Sequence, residues 1–422
     1  METKQDRVIL GEGCIYSTDS SKTQLNNNVV VCGGSGCGKT MSISEPRLLE
    51  TNNSSLVITL SKRRLVAKYR PLFKKRGYNI WDLNFVDPAK SNIAYDPLAY
   101  VHSYTDIVFL AESIVMANPK KKNETKADPY WDMASVSLLS ALIALVKHTK
   151  RDACFTDVLE LHAGMTLDGD AAIETSLDKK FEQLGKKDPN CFALSCWKTF
   201  KRTPMRTAGC IFSSLNATLD TIFSPELRKM MAMQRKVDFR QLATEKTILF
   251  VSTSAVNPAL HCFVNMFYGQ MFKDLFEYGE RRVDGILPLP VHVLCDDFAT
   301  GSTILNFPQM ISVFREKGIS VTILLQSESQ LESMYGTNDA TTILNNCDSY
   351  VYMGGMDIKT ARAVSERLDM PVNDILHMPI GKEIVFRRGQ KPVITERYDV
   401  QRSRLYQKVT REYEEAMARG ER

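Results

Sequence analysis

The chain has 422 residues, room for two or three domains at about 150 residues each, and its 44% hydrophobic and 24% charged content excludes a disordered or fibrous polymer. With 54 basic and 49 acidic residues the net charge is +5, which permits a nucleic-acid or membrane-surface partner without demonstrating one. Ten cysteines include no C-x-x-C pair; the nearest spacings, Cys32/Cys37 and Cys191/Cys196, fit no zinc pattern and read as reduced, mostly buried thiols.

No apolar run approaches the ~20 residues a membrane span needs. The longest candidate, Leu138–Val146, reads as a core helix, and Met1–Arg7 is polar without a signal-peptide core. The expectation is a cytoplasmic chain whose membrane attachment comes through a partner.

Residues 1–28 are polar with short strand-like pieces at Arg7–Leu10 and Cys14–Tyr16. Val29–Cys32 is a buried strand, and it runs into Gly33-Gly34-Ser35-Gly36-Cys37-Gly38-Lys39-Thr40. That is G-x-x-x-x-G-K-[ST], the phosphate-binding loop. Glycines let successive backbone N–H groups curl around phosphate oxygens, and the following helix aims its positive end at them. Lys39 is expected to reach the β- and γ-phosphates, and the Thr40 hydroxyl to hold Mg²⁺. Met41–Glu50 reads as a helix bent at Pro46. Ser55–Leu60 is an unbroken apolar run, hence a buried parallel strand. A basic helix Lys62–Arg76 ends at Gly77, and Tyr78–Leu83 is the next strand. Strand and helix alternate, so a parallel α/β sheet is predicted.

The rhythm changes near residue 100. Asp128-Pro129 starts a helix that runs through Trp131, Val136, Leu139, Leu142, Ile143 and Val146 at 3.6-residue spacing. Cys154–His162, Ala172–Leu184 and Pro204–Phe223 are further helices. Lys120-Lys121-Lys122, Lys179-Lys180 and Lys186-Lys187 dot this block; solvated loop charge and DNA contact are both open readings.

Strands then return at Thr247–Ser252, Val291–Cys295, Ile319–Leu325 and Tyr350–Met353, separated by helices Leu260–Tyr278, Phe307–Lys317, Ala340–Asn346 and Ile358–Leu368. A hairpin, Glu383–Phe386 with Pro392–Thr395, closes the α/β part. The resulting division is 1–100 and 237–400 as two parts of one nucleotide-binding domain, 101–236 as an all-α domain inserted between them, and 401–422 as a charged helical tail.

Val291-His292-Val293-Leu294-Cys295 ends in Asp296-Asp297. An apolar strand ending in carboxylates, downstream of a phosphate loop, points to Asp296 supporting Mg²⁺ and Asp297 orienting the attacking water. Gln326 ends the next strand; it is either a sensor of the γ-phosphate or a polar strand cap. Arg315 lies on the helix between those strands; it is either a solvated helix arginine or a charge offered to a transferring phosphoryl group.

Several ordered stretches carry a family resemblance: Arg76-Gly77-Tyr78 leading to Leu83-Asn84 and Asp87-Pro88; Asn92 to Pro97-Leu98; Asp128-Pro129-Tyr130-Trp131-Asp132-Met133-Ala134; Asp296-Asp297-Phe298-Ala299-Thr300-Gly301; Arg315-Glu316-Lys317-Gly318-Ile319-Ser320; Leu325-Gln326-Ser327-Glu328-Ser329-Gln330-Leu331; and Ile343-Leu344-Asn345-Asn346-Cys347-Asp348. Over about residues 28–390 the chain resembles the VirD4/TraG-type coupling proteins of type IV secretion systems. The resemblance implies a RecA-like P-loop NTPase with a parallel-rich central sheet and an inserted all-α domain. It implies ATP and Mg²⁺ as ligands and a homo-hexamer with ATP at subunit interfaces. It also implies conjugative DNA transfer, with single-stranded DNA, a relaxase and a membrane-embedded secretion channel as partners. Gln326 matches the family's sensing glutamine, and Arg315 the arginine offered to the neighbour's ATP.

The chain departs from the family pattern in four places. It shows no leading transmembrane helices, so it is either a form recruited by a small membrane protein or a shortened chain. Asp296-Asp297 stands where Asp-Glu is usual. Thr59-Leu60-Ser61-Lys62 stands where Asp-Pro-Lys is frequent, and Lys62 receives no role. The acidic C-terminal extension of some members is missing. Two other functions stay in view: a nucleotide-binding docking adaptor with little hydrolysis, and a VirB4/FtsK-like translocation ATPase.

Overall fold

The structure, a computed structural model, describes residues 5–116, 129–168, 174–175, 177–254, 257–296, 298 and 303–420. Its strands are β1 Arg7–Gly11, β2 Cys14–Ser17, β3 Val29–Cys32, β4 Ser55–Leu60, β5 Asn79–Asn84, β6 Leu167–Asp168, β7 Glu174–Thr175, β8 Thr247–Ser252, β9 Val291–Cys295, β10 Ile319–Leu325, β11 Ser349–Tyr352, β12 Lys382–Arg387 and β13 Val393–Glu396. Nine of them form one sheet in the order β13-β12-β11-β3-β10-β9-β4-β8-β5. From β11 to β5 every neighbour is parallel; β12 and β13 add an antiparallel edge.

The central strands are apolar throughout because both faces are covered. Side chains alternate between faces with a period of two. Val30, Cys32, Val57, Val293, Val321 and Ile323 belong to one buried cluster, Val29, Val31, Leu56, Ile58, Leu294 and Leu324 to the other. The first cluster continues unbroken into the helical block, through Leu138, Leu142, Phe155, Trp197, Ile211 and Phe223. The second is closed by helices Glu45–Glu50, Arg64–Lys75 and Arg404–Ala418 and by the β1–β2 hairpin.

Three local readings change. Residues expected to start a helix at Ala172 instead supply β7, which pairs with β6, and the helix runs Asp178–Lys187. Helices Phe192–Lys201, Pro225–Met231, Phe239–Thr244 and Glu328–Tyr335 were not anticipated. Finally, Tyr130–Thr149 is helical throughout and, by length and composition, long and apolar enough to cross a membrane, so the apolar stretch is longer than Leu138–Val146. Most of it is buried, against helices Tyr104–Met116, Phe155–Ala163, Phe192–Lys201 and Met205–Ile222. The proposed cap Asp128 and the Lys120–Lys122 cluster lie outside the described residues.

One edge residue is held at a cost. Glu383 on β12 is fully buried beneath the β1–β2 hairpin; a Cβ at Gly11 would sit 2.6 Å from its Oε1. Neither carboxyl oxygen has a hydrogen-bond partner among the described residues, and burial pushes its pKa up to about 8. The folded state then holds a proton that the unfolded chain releases in the ordinary carboxylate range. Stability therefore falls as pH rises from about 4.5 to 8, and is level above that. Glu383→Gln, which is neutral at every pH, is expected to raise the unfolding midpoint at pH 8 by the equivalent of roughly 2–4 kcal/mol. Thermal melts at pH 8 and pH 5 check this, with the gap closing at the lower pH.

Candidate functional site

The chain leaves β3 at the sheet's C-terminal edge, between β10 and β11. Three backbone bonds fix the exit: Gly33 N–H to the Leu325 carbonyl at 3.1 Å, Gly34 N–H to the Gly354 carbonyl at 2.9 Å, and Met353 N–H to the Cys32 carbonyl at 2.8 Å. A Cβ on Gly33 would fall 2.7 Å from Cys37 Sγ and 2.9 Å from Met353 Cβ, so only glycine fits. Gly36 and Gly38 have φ of +75° and +92°, which L side chains rarely adopt. The loop curls round its own lysine, whose Nζ donates to the Gly33 carbonyl and, at 3.2 Å, to that of Gly34.

Thr40 opens the helical segment behind the loop. Thr40–Ser44 forms a wide π-turn, with Glu45 N–H bonded to the Thr40 carbonyl, before an α-helix takes over at Glu45–Glu50. Pro46 has no N–H to offer the preceding turn, so the change of helical type coincides with the bend expected there. Glu45 then anchors the segment. Its buried carboxylate accepts from Lys68 Nζ at 2.8 Å and Tyr69 OH at 2.6 Å. Lys68 in turn lies 3.7 Å from the Tyr406 ring centre on the C-terminal helix.

The facing wall comes from β9 and β10. Because β10 lies between β3 and β9, its last residues stand beside the loop, and Asp296 after β9 stands one strand further on. Lys39, Thr40, Asp296 and Gln326 line a single cleft of about 280 Å³ together with Ser35, Gly36, Cys37, Gly38, Met41, Ser61 and Lys62. Gln326 is exposed, and its backbone is pinned by its N–H to Gln330 Oε1 at 3.2 Å. Ser327 caps the next helix, which an Arg367–Glu328 ion pair of 2.7 Å ties to helix Ile358–Leu368. Asp297 lies outside the described residues.

Sequence reasoning missed Ser61 and Lys62. The available signal was position: they follow β4 at the C-terminal edge, where open α/β sheets take their ligands. The thiols of Cys32 and Cys295 are pushed up to about 12 by burial and stay protonated beneath the cleft.

Arg315 is placed elsewhere. It is exposed near the end of helix Phe307–Lys317, at the opposite edge of the sheet. Gly318, at φ +77°, turns the chain into β10. The seven residues of β10 separate it from Gln326 by roughly 20 Å at 3.3 Å per residue. There it borders another polar cleft, of about 380 Å³, shared with Asp19, Asn53, His292 and Ser320. Arg315 does not reach the Lys39 cleft of its own subunit.

The Lys39 cleft suits a nucleoside polyphosphate: a glycine-rich loop in which Gly36 and Gly38 take positive φ, two lysines, and a hydroxyl and a carboxylate lining the same space. Among the described residues no group of three or more His, Cys, Asp or Glu could hold a metal by itself. A cation shared by Thr40, Asp296 and phosphate oxygens fits that donor set, as Mg²⁺ commonly binds through few protein ligands plus substrate phosphates.

Comparison with known proteins follows this geometry. Residues 2–371 match the profile of the family described as type IV secretory system conjugative DNA transfer. A search of curated proteins finds no match. Among solved structures, the chain is similar to the bacterial conjugative coupling protein TrwBdeltaN70 in complex with sulphate, with TM-score 0.68 and 17% identity over 94% of this chain and 90% of that one. It is similar to TrwB bound to the ATP analogue ADPNP, with TM-score 0.66 and 16% identity over 94% and 90% of the two chains. VirB4 of Thermoanaerobacter pseudethanolicus is similar at TM-score 0.54 and 12% identity, over 95% and 98%. These likenesses show the fold, a P-loop α/β core with a parallel-rich sheet and a helical block.

Proposed function

This chain belongs to the type IV secretory system conjugative DNA transfer family, and from that premise we propose that it is the coupling ATPase of a conjugative system. The observation that carries the reading is the single cleft uniting Lys39, Thr40, Asp296 and Gln326. The TrwB structures with ADPNP and with ADP and Mg²⁺ support ATP and Mg²⁺ as its ligands.

In this reading the N–H groups of Gly34–Thr40 and the Lys39 ammonium bind the phosphates. Thr40 and Asp296 hold Mg²⁺. Asp297 orients water, and Gln326 responds to the γ-phosphate. Bound ATP supplies the anhydride bond whose hydrolysis drives movement. Arg315, too far to serve its own cleft, serves the next subunit's, in a homo-hexamer that completes each site. The ring recruits a relaxase–DNA complex and passes single-stranded DNA to a membrane-embedded channel. It sits at the inner face of the cell membrane through a partner protein.

Steady-state ATP turnover with and without single-stranded DNA tests the reading. The expected result is turnover that rises at least tenfold when DNA is added, since assembly completes the site. Tight ATP binding with turnover indifferent to DNA would instead leave the docking adaptor.

A further inference from the structure

Arg397 follows β13 and reaches back toward the phosphate loop. Its Nη2 donates to the Met353 carbonyl at 2.8 Å, and its Nη1 lies 3.7 Å from where a Cβ of Gly38 would stand. Its Nε is buried and has no hydrogen-bond partner among the described residues. The backbone is held too, by Arg397 N–H to the Gly381 carbonyl at 2.8 Å. No ion pair involves Arg397 among the described residues, although it is only half exposed. Met353 belongs to the segment that fastens the loop, since its own N–H bonds Cys32 and the Gly354 carbonyl receives Gly34 N–H. The guanidinium is therefore carried on the scaffold that positions the phosphate loop.

A partly buried guanidinium without a carboxylate partner is an unfinished arrangement. Arg397 acts on the buried Glu383 carboxyl and favours its charged form, yet burial outweighs this and pushes that carboxyl up to about 8, and no ion pair joins the two. The positive charge is left for something else. With one Nη2 hydrogen fixed to a carbonyl, the planar guanidinium keeps both hydrogens of Nη1, the nitrogen nearest the loop, and the second hydrogen of Nη2 for phosphate oxygens.

We infer that Arg397 is a phosphate-binding residue of the nucleotide site, supplied by the subunit's own C-terminal segment and contacting the polyphosphate of a nucleoside di- or triphosphate held by Gly33–Thr40. The inference rests on the nucleotide reading above. Gly38 lies in the part of such a loop that cradles the α- and β-phosphates, which ADP and ATP share. Arg397 therefore binds ground state and transition state alike, raising affinity without accelerating the chemical step. It also links occupancy of the cleft to the β12–β13 hairpin and the helix beyond it.

The test uses the full chain and calorimetric titration with ADP, with a non-hydrolysable ATP analogue and with inorganic tripolyphosphate. Arg397→Ala removes the group; Arg397→Gln keeps an amide for the Met353 carbonyl and loses the charge. Arg387→Ala is a control on the same hairpin, where the guanidinium lies 3.9 Å from the Tyr16 ring centre. Expected is a loss of affinity for all three ligands of about 10- to 100-fold in both Arg397 variants, KM for ATP rising with it, kcat at saturation within threefold of wild type, and Arg387→Ala unchanged in binding. If Arg397→Ala does not fold, Arg397→Gln decides. A folded Arg397→Gln binding within threefold of wild type overturns the inference alone. Failure of the wild-type chain to bind any of the three ligands overturns the nucleotide reading first.

Discussion

Mixing Arg315→Ala subunits with Lys39→Ala subunits is expected to restore ATP turnover that neither variant sustains alone. The reason is the roughly 20 Å of β10 between Arg315 and the cleft edge at Gln326. An arginine at that distance cannot touch the phosphates its own Lys39 holds. In the closed ring proposed above, head-to-tail contacts would bring it to the neighbour's cleft instead. Arginines that stabilise a transferring phosphoryl group contribute about 10³- to 10⁵-fold, so Arg315→Ala alone should be almost inactive while still binding nucleotide. In an equal mixture, about a quarter of interfaces pair an intact Lys39 with an intact Arg315, and activity should recover toward that fraction. The measurement is turnover against mixing ratio, with single-stranded DNA present. Mixtures as inactive as their components would remove Arg315 from the reaction.

Lys39→Ala should lower ATP turnover by about 10²- to 10³-fold or more, the scale expected when a preorganised charge at a transition state is deleted. The fold should survive it. Lys39 is only half-buried, and its partners are the Gly33 and Gly34 carbonyls at the mouth of a cleft that water enters. Removing it leaves those carbonyls hydrated rather than stranded. A melting temperature close to wild type, with turnover abolished, separates lost chemistry from lost structure. Full activity in this variant would end the nucleotide-motor assignment.

The elements of the sheet were readable because burial on both faces writes a simple pattern. Val29–Cys32, Ser55–Leu60 and Ile319–Leu325 are apolar on every residue or nearly so and stop at glycine or polar residues, so strands of parallel type followed directly. Their order was not readable. Nothing local says that β10 lies between β3 and β9, and that fact alone brings Gln326 beside the loop. Sites were legible where one short segment carries the chemistry, as in Gly33–Thr40. They were not where tertiary structure assembles them: Lys62 is brought in by β4, and Arg397 by the far hairpin. Helix Pro225–Met231 is a different kind of omission. Its signal was present, Ser224 capping Leu227 N–H with proline in the first turn. Ala172–Leu184 failed because residues 174–175 are recruited by a two-residue ladder that no periodicity announces.

The place of β3 in the sheet has a consequence for how the chain matures on the ribosome. Its only neighbours are β10 and β11. Asn28, just before it, bonds Val321 and Asn346 across 293 and 318 residues, and Asn26 bonds Asp348 across 322. At roughly 5–20 residues per second, synthesis of that interval takes about 15–60 s. Through that time Val29–Cys32 emerges with no strand to pair with, and the loop it carries has no support. The phosphate loop is thus stabilised long after it is made, and nucleotide affinity arrives only once β10 and β11 have been translated. A nascent chain that stalls before β11 carries an exposed apolar strand and an unformed cleft, a state for chaperones to hold rather than a smaller working enzyme.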